Sequence, residues 1–156
     1  MESDDNITTI EEKIRAAFLA EGVRQTHQRD LIASRLAELS DSGEDFSVER
    51  LWRDLQQGDP HMGRATVFRS VEMLVRAGLL NRIEFADGSH TYRACGDQHH
   101  HHHLTCKICH RVVDVDVCLP EEQLIEIGQE NDFEIEGHSL MFYGICADCR
   151  VKQKNE

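Results

Sequence analysis

The sequence predicts an α+β fold in two parts, a run of helices closed by a β-hairpin and then a smaller α/β unit. Three observations predict it. Apolar residues recur at helical spacing up to residue 77, and the spacing then changes to the alternation of strands. The turn sequence Ala86-Asp87-Gly88-Ser89 separates two short strand-like runs. Two Cys-x-x-Cys pairs, Cys106/Cys109 and Cys146/Cys149, bracket most of the remainder, and four thiolates are the complement of a tetrahedral zinc ion. Helices followed by a hairpin are the order of a winged helix, a helix-turn-helix variant. A helical bundle has the same periodicity, so the pattern by itself leaves both open.

The elements follow in order. A first helix is expected over Ile10–Ala20. Thr26 is placed to cap a second over residues 27–39, with Leu31, Ile32, Leu36 and Leu39 inward, before turn chemistry at Asp41, Ser42 and Gly43. Ser47 caps a third, with Val48, Trp52 and Leu55 at helical spacing and a stop near Gly58 and Pro60. The fourth runs over residues 64–77. Val67, Val71 and Leu74 face the core, Arg69, Glu72 and Arg76 point away, and Gly78 ends it. Strands are expected over 79–85 and 91–94, and beyond the boundary near Ala94 and Cys95 over 101–105, 112–117 and, as one long strand, 133–145. A helix over 119–131 fits between them, with Pro120 in its first turn and Glu121 and Glu122 near the positive end of its dipole.

Composition bounds the function. At 156 residues and 40% apolar content, the chain has room for one domain or two small ones. No run of 18 apolar residues is present, the start Met1-Glu-Ser-Asp-Asp has no apolar signal core, and the six cysteines read as thiols or metal ligands in a reducing cytoplasm. The expectation is a cytoplasmic protein without a membrane partner. A net charge of −12 argues against a passive nucleic-acid coat. It leaves room for a local reader, because the stretch from His61 to Arg82 sets Arg64, Arg69, Arg76 and Arg82 against the single acid Glu72.

The metal ligands exceed what a structural ion needs. Five histidines, His99 to His103, run into Cys106. The run is internal, unlike a purification tag. The alternative use of the Cys pairs, as redox dithiols, lacks a thioredoxin-like βαβ context. In an extended run the side chains alternate faces, so His99, His101 and His103 point one way and His100 and His102 the other. Cys95 is close in sequence to His101 and His103, a soft S/N set suited to zinc, while His100 and His102 need distant partners such as Glu121 and His138. Cys118 stands apart and reads as a small buried hydrophobe.

Five segments together resemble one family: Gly63-Arg-Ala-Thr-Val-Phe-Arg-Ser, Tyr92-Arg-Ala-Cys95, the histidine run with Cys106-x-x-Cys109, Gly137-His-Ser, and Cys146-x-x-Cys149. In order and spacing they look like the ferric uptake regulator superfamily, over residues 10–150. The resemblance implies a bacterial metal-dependent repressor. Its parts are a winged-helix DNA-binding domain (1–94), a dimerisation and metal-binding domain (95–156), and a sensing site at the hinge. Within the superfamily the details are most similar to the zinc uptake regulators. Cys95, His101 and His103 match that branch's sensor ligands, and His100, His102, Glu121 and His138 match the second regulatory site. The implied DNA contacts are Arg64, Thr66, Phe68, Arg69 and Arg76, and the implied partners are double-stranded operator DNA and a second copy of the chain.

Iron, nickel and peroxide sensors usually draw a hinge-site histidine from just before the third helix, where this chain has Asp45-Phe46-Ser47. Iron sensors also use an acid shortly after the wing tyrosine, where this chain has Arg93 after Tyr92. Two positions depart from the zinc branch. Its fourth sensor ligand is usually Asp or His, and the matching residue is Asn81, which leaves water or a substitute such as Glu84, Asp87 or Asp114. Phe68 stands where the family often has Tyr, and it donates no hydrogen bond to a base. The nearest rival keeps the family with Fe2+ or Mn2+ as the regulatory metal. A zinc deaminase needs Glu two residues after its ligand histidine and then Pro-Cys-x-x-Cys, and neither occurs here, so no enzyme activity and no small organic substrate are expected. A zinc-stapled interaction module explains the four thiolates but gives Cys95, the histidines and the arginine-bearing helix no role.

Overall fold

The computed structural model describes residues 9–95 and 101–154. Within them the chain divides into two compact units, one holding residues 9–83 and 90–95, the other residues 84–89 and 101–154.

The first unit contains α1 (Ile10–Ala20), α2 (His27–Ser42), α3 (Val48–Gly58), α4 (Arg64–Arg76) and, apart from the end residue Glu84, a two-stranded sheet of β1 (Leu80–Glu84) and β2 (His90–Ala94). Each early helix begins where a side-chain oxygen can take an orphan amide. Thr9 and Glu12 form a reciprocal capping box on α1, Thr26 caps α2, and Ser47 caps α3. Gly43 ends α2 in the left-handed region at φ 66°, which costs a residue without Cβ little. Ile10, Ile14 and Phe18 of α1 meet Ile32, Leu36 and Leu39 of α2 and Val67, Val71 and Leu74 of α4 in one core. Arg15 ties α1 to α2 by pairing with Glu11 and Asp30. The hydrogen bond with Arg15, followed by that with Ser34, holds the Glu11 carboxyl below its usual range.

The loop before α3 is stitched to β2. Phe46 and Tyr92 exchange two backbone hydrogen bonds at 2.9 and 2.8 Å. Beside them Arg93 grips Asp45 with both faces of its fork, Nε to Oδ1 at 2.6 Å and Nη2 to Oδ2 at 3.1 Å.

The second unit is a three-stranded sheet in the order β4-β3-β5, with β3 at His102–Cys106, β4 at Val112–Val115 and β5 at Met141–Gly144. β3 pairs with β4 antiparallel and with β5 parallel. The parallel pairing needs a crossover, which α5 (Glu121–Asn131) supplies. α6 (Ala147–Lys154) follows β5. The expected long strand over 133–145 is shortened to four residues. Asp132 turns left-handed at φ 59°, and the Phe133 amide folds back to the Gly128 carbonyl at 2.8 Å. β3 then offers only His103 to Cys106 for β5 to pair with.

Candidate metal centres

The four-cysteine cluster is built on two turns. The first lies between β3 and β4. His110 takes a left-handed φ of 60°, and its amide returns to the Cys106 carbonyl at 3.1 Å. The His110 ring stacks on Phe85 with centroids 4.3 Å apart, and its Nε2 lies 3.2 Å from Asp87. The second turn leads β5 into α6, so Cys146 and Cys149 stand at the positive end of that helix. One sulfur from each of Cys106, Cys109, Cys146 and Cys149 lies within 4.8 Å of the others. The set fits tetrahedral zinc in donor type, number and closeness.

The metal-free thiols differ in acidity. Cys106 is held down to about 6, first by the Cys109 amide and then by the amides of Cys146 and Ile108. Cys149 is pushed up to about 12, first by its hydrogen bond with Cys146 and then by burial.

The histidine-bearing strand serves two further groups, one on each face. His103 and Asp114 are direct partners across the antiparallel β3–β4 pair, so their side chains share a face. His103 Nδ1 lies 3.0 Å from Asp114 Oδ1, and the rings of His101 and His103 are 5.0 Å apart. His101, His103 and Asp114 form one three-ligand group. On the other face, the Leu140 amide donates to His102 Nδ1 at 3.0 Å, the His138 ring lies 5.0 Å from that of His102, and Cys118 Sγ lies 3.0 Å from His138 Nε2. His102, Cys118 and His138 form the other group.

Some expected ligands fall elsewhere. His99 and His100 lie outside the described residues. Cys95 and Asn81 are half-buried residues of the first unit. Of the possible substitutes for Asn81, Asp114 joins a group. Asp87 accepts from Ser89 and faces His110, and Glu84 is exposed on β1. Glu121, exposed at the start of α5, shares a groove of about 590 Å³ with His138 but is not in the three-ligand group. Cys118 corrects the sequence reading outright. It is exposed, not buried, because the chain after β4 runs along the surface up to Pro120, and its thiol meets an imidazole. The register of the β3–β4 hairpin was the signal for Asp114. For Cys118 the sequence held only its place, three residues before Glu121.

The five residues expected at DNA all lie on α4. Arg64, Phe68, Arg69 and Arg76 are exposed, and Thr66 is half-buried. Phe68 leaves 50% of its surface open, whereas Val67, Val71 and Leu74 are fully enclosed. Arg64 is held 2.9 Å from Glu49 of α3.

A helical unit closed by a hairpin and a metal-ligand-rich α/β unit define a metal-dependent regulator of the winged-helix kind. The comparisons agree. The family model described as "Ferric uptake regulator family" matches residues 20–143, and the chain belongs to that family of metal-responsive transcriptional regulators. It is 29% identical over 145 residues to the ferric uptake regulation protein of Campylobacter upsaliensis, covering 92% of this chain and 90% of that one. It is 32% identical over 131 residues to the zinc uptake regulation protein of Mycobacterium tuberculosis, covering 84% and 98%. The crystal structure of the Vibrio cholerae ferric uptake regulator superposes with a TM-score of 0.60 at 29% identity, covering 85% and 98%.

Proposed function

We propose that this chain is a zinc-responsive repressor that binds a palindromic operator as a metal-loaded homodimer and represses zinc-uptake genes. The observation that carries the zinc reading is the Asp45–Arg93 pair. In the resemblance drawn above, iron sensors take ligands from just before the third helix and from just after the wing tyrosine. Here those two places hold an acid and a base spent on each other. The remaining donors are mainly thiol and imidazole, which suit zinc.

The proposed roles divide by ligand group. Cys106, Cys109, Cys146 and Cys149 hold structural zinc. Cys95, His101 and His103 hold the sensor ion, with Asp114 in the place Asn81 leaves open. His100, His102, Glu121 and His138 are candidates for the second regulatory site. When bound, zinc supplies a charge-dense crosslink among its ligands. Arg64 and Thr66 at the start of α4, with Phe68, read bases, and Arg69 and Arg76 grip phosphate. Dimerisation is supported by the second unit, where Ile125, Phe133, Phe142, Tyr143 and Ile145 are all exposed.

A second reading, with Fe2+ or Mn2+ as the signal, is favoured by one observation. Asp114 lies against His103, and a carboxylate suits harder ions. A chelator-competed zinc titration on the wild type and Cys95→Ser, joined to operator binding under anaerobic Zn2+, Fe2+ or Mn2+, separates the two. Zinc sensing requires uptake beyond one tight ion, loss of a step in Cys95→Ser, and operator binding with zinc. If Cys95→Ser matches the wild type and only iron or manganese supports operator binding, the zinc reading is wrong.

A further inference from the structure

We infer that the metal site on the His102 face is a thiolate site, in which Cys118, not Glu121, is the anionic ligand beside His102 and His138. The inference deepens the second-site reading and rests on it only for the two histidines. Three observations carry it. The ligand atoms of His102, Cys118 and His138 lie within 4.8 Å of one another, a group that excludes Glu121. Cys118 is exposed yet held 3.0 Å from His138 Nε2, so its sulfur is accessible to an incoming ion and already directed at a partner ligand. His102 is 2% exposed, and the Leu140 amide fixes its ring.

The exchange of ligand changes the chemistry. A carboxylate in this position accepts Mn2+ and Fe2+ readily, whereas a thiolate with two imidazoles selects zinc and its mimic Co2+. The site also has a definite proton balance. Cys118 must give up its thiol proton to ligate. A neutral imidazole that accepts the Leu140 amide on Nδ1 carries its proton on Nε2. Binding through Nδ1 displaces the amide, and binding through Nε2 moves the proton to Nδ1, which can then no longer accept. Either way, ligation by His102 releases the Leu140 amide, which precedes β5.

The chain's cysteine content makes the test selective. Of six cysteines, four belong to the structural cluster, so in full-length Cys95→Ser with that cluster filled by zinc, Cys118 is the sole remaining thiol. Zinc is held more tightly than cobalt at such a cluster. Titration with Co2+ under reducing, anaerobic conditions should produce a thiolate-to-cobalt charge-transfer band with about one equivalent bound at this site. The band should vanish in Cys95→Ser/Cys118→Ser and persist in Cys95→Ser/Glu121→Gln, with circular dichroism and retained zinc showing that each variant is folded. Cobalt uptake without the band in Cys95→Ser overturns the Cys118 assignment without overturning a second site. No uptake beyond the structural ion overturns both. A band that survives in Cys95→Ser/Cys118→Ser belongs to the structural cluster and also sinks the inference.

Discussion

If Arg64 meets DNA as proposed, its partner on α3 sets a competitor for that contact. Arg64 stands at the start of α4 and is held by Glu49 at 2.9 Å. A DNA phosphate or a guanine edge must compete with that carboxylate, which weakens docking on arbitrary DNA. Glu49→Gln should therefore tighten binding to non-operator DNA and narrow the ratio between operator and competitor in fluorescence anisotropy. An unchanged ratio would show that the Glu49 pair does not restrain Arg64. Arg64→Ala should cost about 1–3 kcal/mol of discrimination at one base position if it reads a base, and should weaken all sequences alike if it grips phosphate. In the proposed reading Phe68 would contribute differently, since an exposed ring can make only an apolar contact, such as one with a thymine methyl.

At the scale of elements, α4 joins the core to the exposed basic face. Val67, Val71 and Leu74 are fully enclosed, while Phe68, Arg69 and Arg76 of the same helix stay open. Leu74→Ala should destabilise the first unit by about 2–5 kcal/mol, measured by urea unfolding. The stitch between the α3 loop and β2 is a second test. Asp45→Ala strands the Arg93 fork, which lies partly shielded, and should cost about 1–3 kcal/mol in the same assay. The two elements differ in how far the sequence revealed them. The inner face of α4 and the caps Thr26 and Ser47 were legible because helical spacing and capping act over a few residues. The Asp45–Arg93 pair was not, because its partners are 48 residues apart and no local rule joins them. The long strand expected over 133–145 failed for a related reason. Alternation describes which residues suit a strand, but strand length is set by the neighbour, and β3 is only five residues long. The same limit hid Cys118, whose partner His138 is twenty residues away.

For the molecule as a whole, the proposed structural zinc would couple folding and metal uptake through the second unit. Its sheet is small, and the residues that close it are the cysteines themselves, with Cys106 and Cys149 among the few buried apolar groups there. Chelation of the structural ion should therefore unfold this unit before the first, seen as loss of strand signal while the helices persist. The thiol acidities give the pH dependence its sign. Near neutrality Cys106, at about 6, is already mostly thiolate, whereas Cys149, at about 12, keeps its proton. Zinc must displace that proton, so uptake should release acid at pH 7 and apparent affinity should rise about tenfold per pH unit for each proton displaced. Calorimetry in buffers of different ionisation enthalpy counts those protons. Release of none would contradict the high value for Cys149.

The closeness of the four sulfurs has a practical side. Cys109 and Cys146 lie 3.7 Å apart across the two turns, a separation from which a small movement makes a covalent bond. While an ion occupies the cluster, the sulfurs are shielded from air. Once the ion is stripped, an oxidant can join them, and the joined pair no longer accepts metal. Protein demetallated in air should then refuse zinc until a phosphine or dithiol is added, and should run faster on non-reducing gels. Preparations of this regulator stripped of metal without thiol protection would stay silent, whatever metal they are later given, until they are reduced.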